Sequence, residues 1–193
     1  MKHRDVILFD CYGIFAPDTF ATYFATYFPQ DGAAKKEAIC SKADRGEYTL
    51  DEAVAKLQED YEINPEEFLA FMDRTSVPIP DMLSFATKLR EHNTVCLLSN
   101  CMEGILERNF AGFDLSKSFD RQYRSYRLHL AKPGPEIFAY VKKDLGPNVE
   151  RLVFFDDNPV NVEAALSAGI PAYLYTDKER CQAVLKQLGY DID

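Results

Sequence analysis

What the chain is short of is positive charge. It carries 22 Lys and Arg against 31 Asp and Glu, a formal net charge of -9. A basic face for nucleic acid or an anionic membrane is therefore not expected. An anionic small substrate would need a bound cation or local lysines. Histidine is scarce too: His3, His92 and His129 stand far apart, without the spacing of a metal-ligand set. The five cysteines (11, 40, 96, 101 and 181) are odd in number and form no CxxC. That argues against a disulfide framework and for free thiols in a reducing, cytoplasmic setting. No basic segment followed by an apolar one opens the chain, so no secretory signal is expected. No apolar run approaches the roughly 20 residues of a membrane helix.

What is present is apolar material for one compact domain with an insertion: 193 residues, 47% of them hydrophobic. Four short apolar runs, at 6–9, 95–98, 152–155 and 172–175, do not alternate. They read as parallel strands covered on both faces. Helical stretches are expected at 80–92, 133–145 and 158–168. In the last, Asn158 serves as N-cap, Pro159 sits in the first turn and Gly169 is the stop. Strands alternating with helices of this length predict a doubly wound, Rossmann-like α/β parallel sheet. Residues 16–78 contain no convincing strand. There "TFATYFATYFPQ" puts Phe20, Phe24 and Phe28 on one helical face, a stripe that reads as core-facing. Capping boxes are expected at Thr49 with Glu52 and at Asn64 with Glu67. The expectation is an all-α helical-bundle cap at 16–78, inserted into a core made of 1–15 and 79–193. An insertion there sits over the carboxyl end of the sheet, where such folds bind ligands.

The apolar runs end in chemistry. The first ends in Asp10, the second in Ser99-Asn100, the third in Asp156-Asp157-Asn158, and Lys132 precedes the helix that leads into the third. Singly, each could cap a turn or a helix. Together they set three carboxylates, a hydroxyl and a lysine around one sheet edge. Carboxylates crowded in this way repel unless a divalent cation sits among them, and all-oxygen ligation favours Mg²⁺. Asp10 could then attack phosphorus and form an aspartyl-phosphate. Lys132 would offset charge, and Ser99 with nearby backbone N–H groups would bind the phosphoryl oxygens.

The stretches "ILFDCYG", "LLSN", "KPGPEIF" and "FFDDNPVNVEAA" resemble, in order and spacing, the four motifs of the haloacid dehalogenase-like (HAD) hydrolase superfamily. The resemblance covers nearly the whole chain and includes a small helical cap. It implies Asp10 as nucleophile and metal ligand, Ser99 and Asn100 as phosphoryl holders, and Lys132 as the charge-stabilising lysine. It also implies Asp156 and Asp157 around Mg²⁺, with the backbone carbonyl of Tyr12 as a further ligand. Phosphatases of the family carry a second Asp where this chain has Tyr12, and that Asp protonates the leaving group. The 2-haloacid dehalogenases do carry tyrosine there and use an arginine early in the cap, a place that Arg45 could fill. They have little use for the Asp156-Asp157 pair. The expected function is thus a Mg²⁺-dependent phosphomonoester hydrolase acting on a small phosphorylated metabolite. Good leaving groups are favoured, such as a sugar 1-phosphate; the chain also resembles a subgroup that includes bacterial glucose-1-phosphate phosphatase. The alternatives are a slow-turnover binding or regulatory module and a 2-haloacid dehalogenase.

Overall fold

The computed structural model describes residues 4–192. Its elements run β1 (Asp5–Phe9), α1 (Thr19–Tyr27), α2 (Gly32–Ala43), α3 (Leu50–Tyr61), α4 (Pro65–Thr75), α5 (Pro80–Leu89), β2 (Thr94–Ser99), α6 (Ile105–Asn109), β3 (Arg121–Arg124), α7 (Ser125–Leu128), α8 (Pro135–Leu145), β4 (Arg151–Asp156), α9 (Pro159–Ser167), β5 (Ala172–Leu174) and α10 (Lys178–Gln187). The strands form one parallel sheet in the order β3-β2-β1-β4-β5. The strand that carries Asp10 at its end is therefore central. The chain fills one side of β1 before crossing to the other, so β1 and β4 flank the switch point where open α/β sheets bind ligands.

The two-residue period of a strand explains how the sheet is buried. Ile7, Phe9, Val95, Leu97, Val153 and Phe155 share one apolar cluster with α5, α10 and the helices of the insertion. Val6, Leu8, Cys96, Leu98 and Phe154 share the other with α8 and α9. Continuous apolar runs are needed because neither face meets water. The strand β3 was not expected from sequence. Its residues, RQYR, are polar, only Tyr123 is buried, and it pairs on one side only, with β2. An edge strand of this kind leaves no apolar run to find.

The insertion consists of α1 to α4. It begins and ends together, since the Ile79 N–H donates to the Phe15 carbonyl at 2.8 Å. Of the stripe, Phe20 and Phe24 are buried and Phe28, which closes α1, is half-buried; Tyr23 beside them is buried as well. Phe68 takes the rings of Phe20 and Tyr23 at centroid distances of 5.0 and 4.7 Å. Thr49 and Glu52 form a reciprocal capping box at α3. At α4 the Asn64 side-chain oxygen accepts from the N–H groups of both Glu66 and Glu67. All five cysteines are buried and free. Among the described residues no helix is long and apolar enough to cross a membrane.

Candidate active site

The carboxyl edge of the sheet forms the floor of a cavity of about 400 Å³, roofed by α2 and the loop that follows it. Asp10 leaves the end of β1 with its N–H bonded to the Phe155 carbonyl at 2.8 Å, so β4 holds its backbone. Lys132 approaches from the loop before α8. Its ammonium lies 2.7 Å from Asp10 Oδ1 and 2.6 Å from Asp156 Oδ2. Asp157 completes the group: one oxygen from each of Asp10, Asp156 and Asp157 falls within 4.8 Å of the others. Gly13 makes room for it. Its φ is +80°, and a Cβ placed there would stand 2.0 Å from Asp157 Oδ2.

Three carboxylates and one ammonium leave two negative charges in surplus. Burial is the first influence on how each of these groups titrates, and the neighbouring charges act on top of it. Burial works against the charge on Lys132, but Asp10 and Asp156 outweigh it and hold the pKa above its ordinary value. Burial raises Asp10, against the pull of Lys132 and with the push of Asp156. Burial and then Asp156 likewise raise Asp157. A hard divalent cation that takes oxygen ligands would cancel the surplus, and the donor set fits Mg²⁺.

The other expected residues fall into two groups. Asn100, Arg45 and Tyr12 line the cavity. The Asn100 carboxamide clasps the Lys132 backbone, donating to its carbonyl at 2.8 Å and accepting from its N–H at 2.9 Å. It thereby ties the end of β2 to the lysine loop. Arg45 donates to the Ser41 carbonyl, while His129 Nδ1 lies 2.8 Å from the Arg45 carbonyl. The Tyr12 hydroxyl accepts from Asn109 Nδ2 at 3.2 Å, and burial keeps the phenol well above its usual range. Ser99 stands apart. It is fully buried, does not line the cavity, and has its hydroxyl 3.4 Å from the Asn100 carbonyl.

Several contributors are not obvious from the motifs. Asn161 lies 3.1 Å from both oxygens of Asp156, and the Asn158 N–H donates to Asp156 Oδ1 at 2.9 Å. The first turn of α9 therefore orients that carboxylate. On the roof, Lys36, Cys40 and Asp44 line the cavity together with Glu37 and Ser41. Their four-residue spacing, which puts side chains on one helical face, was the available signal. Asp18 caps α1 with one oxygen, accepting from Ala21 N–H, and pairs through the other with Lys36 at 2.5 Å.

Residues 5–169 match the family profile described as haloacid dehalogenase-like hydrolase. A HAD family enzyme from Bacteroides thetaiotaomicron has a similar fold. The TM-score is 0.76 at 22% identity, over 95% of this chain and 98% of that one. Its complex with magnesium and inorganic phosphate superposes with a TM-score of 0.72 at 24% identity, over 89% and 94% of the two chains. The phosphorylated carbohydrates phosphatase of Thermotoga maritima is 42% identical over 57 residues, 30% of this chain and 26% of that protein. Drimenol cyclase of Aspergillus calidoustus is 37% identical over 70 residues, 36% of this chain and 13% of that protein. The matched stretches are thus about a quarter or less of either curated relative.

Proposed function

The chain belongs to the haloacid dehalogenase-like hydrolase family, and from that premise we propose that it is a Mg²⁺-dependent phosphomonoester hydrolase. The observation that carries the proposal is the surplus of two negative charges among Asp10, Asp156, Asp157 and Lys132. One divalent cation balances it. The Bacteroides enzyme crystallised with magnesium and phosphate, and the Thermotoga relative named as a phosphatase, support the same reading. A dehalogenase fits less well, because a haloacid would bring a further carboxylate into the acidic group.

In this reading residues 16–78 are the cap over the core. Asp10, Asp156, Asp157 and the Tyr12 carbonyl would hold Mg²⁺, which when bound would neutralise charge on the phosphoryl oxygens. The Asp10 carboxylate attacks phosphorus, and the ester oxygen leaves with the electron pair of the broken bond. Lys132 offsets the charge of nucleophile and phosphoryl group. Asn100 keeps Lys132 in place, and Ser99 supports the same loop. Arg45 meets the substrate from the roof. Tyr12 is a poor acid in its buried setting, so β1 and its loop alone serve good leaving groups best, such as a sugar 1-phosphate.

A panel of phosphorylated metabolites with and without Mg²⁺, beside 2-chloropropionate, tests the assignment. Mg²⁺-dependent phosphate release that disappears in Asp10→Asn is expected. Metal-independent halide release would replace the phosphatase with a dehalogenase. No release from either class of substrate would leave the slow-turnover module.

A further inference from the structure

An ester with a poor leaving group needs a proton at the departing oxygen, and Tyr12 is badly placed electrostatically to give one. We infer that Asp44, on the roof of the cavity, is the proton donor to the leaving group in place of a second acid on the β1 loop. This rests on the phosphatase reading and extends it to poorer leaving groups, including alkyl phosphates.

Asp44 ends α2 and lines the same cavity as Asp10, Lys132 and Asn100. The roof faces the floor that holds the phosphoryl group, so a donor there meets the leaving group rather than the phosphorus. Three acids on the roof side line the cavity: Asp18, Glu37 and Asp44. Asp18 has both oxygens engaged, one in the α1 cap and one with Lys36. Glu37 is exposed. Among the described residues, the Asp44 backbone N–H donates to the Cys40 and Lys42 carbonyls, and its carboxyl is engaged by no hydrogen bond or ion pair. A general acid must be free to give its proton to the substrate.

The surroundings also keep that proton available. Asp44 closes a helix, where the dipole opposes a negative charge. Burial is the main influence on its carboxyl, with Lys36 and Lys132 opposing it and Asp18 and Glu37 reinforcing it; the net effect is a pKa pushed up to about 7. The neighbouring thiols Cys40 and Cys101 are themselves pushed up by burial and remain neutral.

The proton balance closes over two steps. As Asp10 bonds to phosphorus and the ester P–O bond breaks, the departing oxygen takes the Asp44 proton and leaves as an alcohol. The Asp44 carboxylate then takes a proton from the water that attacks the aspartyl-phosphate. The hydroxide oxygen joins phosphorus, Asp10 is freed, and phosphate departs.

The experiment compares an alkyl phosphate with p-nitrophenyl phosphate in the Mg²⁺-loaded enzyme. Asp44→Asn is expected to lose about 100- to 10,000-fold in kcat on the alkyl ester, and at least tenfold less on the aryl ester. Asp44→Glu should recover part of the alkyl activity. In the wild type, alkyl hydrolysis should fall as pH rises through about 7, because the acid loses its proton, and Asp44→Asn should lack that limb. Carbon-13 NMR of the Asp44 carboxyl supplies a readout independent of turnover, expected to titrate near 7. Equal losses on both esters, or a carboxyl titrating in the ordinary range near 4, would overturn the assignment and leave the phosphatase standing. If the wild type released phosphate from neither ester, the phosphatase reading would fall and Asp44's role with it.

Discussion

At the scale of residues, Lys132 decides whether the acidic group can exist in a folded protein. Its ammonium is fully buried between two carboxylates that are themselves buried. Removing one partner of such a set leaves uncompensated charge in the interior. Lys132→Met is therefore expected to cost about 3 kcal/mol in urea unfolding of the metal-free protein at pH 8. At pH 5 the cost should be smaller, because burial already raises Asp10 and Asp157, and both can take protons there. A cost that did not change with pH would mean that the lysine matters through packing alone. Phosphate release should be lost at either pH.

At the scale of elements, the turn after β1 and the end of β4 fit one another. Gly13 has a positive φ and faces the Asp157 carboxylate directly. An alanine would be strained in that conformation, at about 1–2 kcal/mol, and would push Asp157 away from Asp10. The expected result for Gly13→Ala is a lower melting temperature and a smaller rise in that temperature when Mg²⁺ is added. A rise equal to that of the wild type would show that Asp157 is not needed near the ion. The two ends of the helix α2 have separate tasks. Lys36 joins Asp18 at one end of its cavity face, and Asp44 lies free at the other.

At the scale of the whole molecule, the insertion has no separate interior. Phe20, Phe24, Phe68 and Met72 belong to the same apolar cluster as Ile7, Phe9 and Phe155 of the sheet. A cap that shares its core with the sheet should not melt first. Urea unfolding followed by far-ultraviolet circular dichroism and by tyrosine fluorescence should give one coincident transition; the chain has 11 tyrosines and no tryptophan to confuse the signal. Two separated transitions would make the cap an independent unit.

Much of this was legible in the residues themselves. Strands buried on both faces must be apolar throughout, so β1, β2 and β4 announce themselves, and the edge strand β5 shows an apolar run although only its Ala172 is buried and Leu174 is exposed. Asp10 and Asn100 follow such strands directly, the Asp156-Asp157-Asn158 run starts on the last residue of one, and Lys132 stands just before a proline-started helix. Local order was therefore enough to line these residues up along one edge. The edge strand β3 was not legible, because a strand with one partner and polar side chains has no apolar signature. Nor could local order show that Ser99 turns its hydroxyl toward its own loop, or that Asn100 clasps Lys132 across 32 positions of chain. Only the tertiary structure decided how the charges balance. Burial, the distance from Lys132 to two carboxylates, and the lack of any partner for the Asp44 carboxyl among the described residues arise from segments far apart in the chain. The kinds of group present at the site belong to the sequence; which of them hold a proton or await a cation depends on what the fold packs around each.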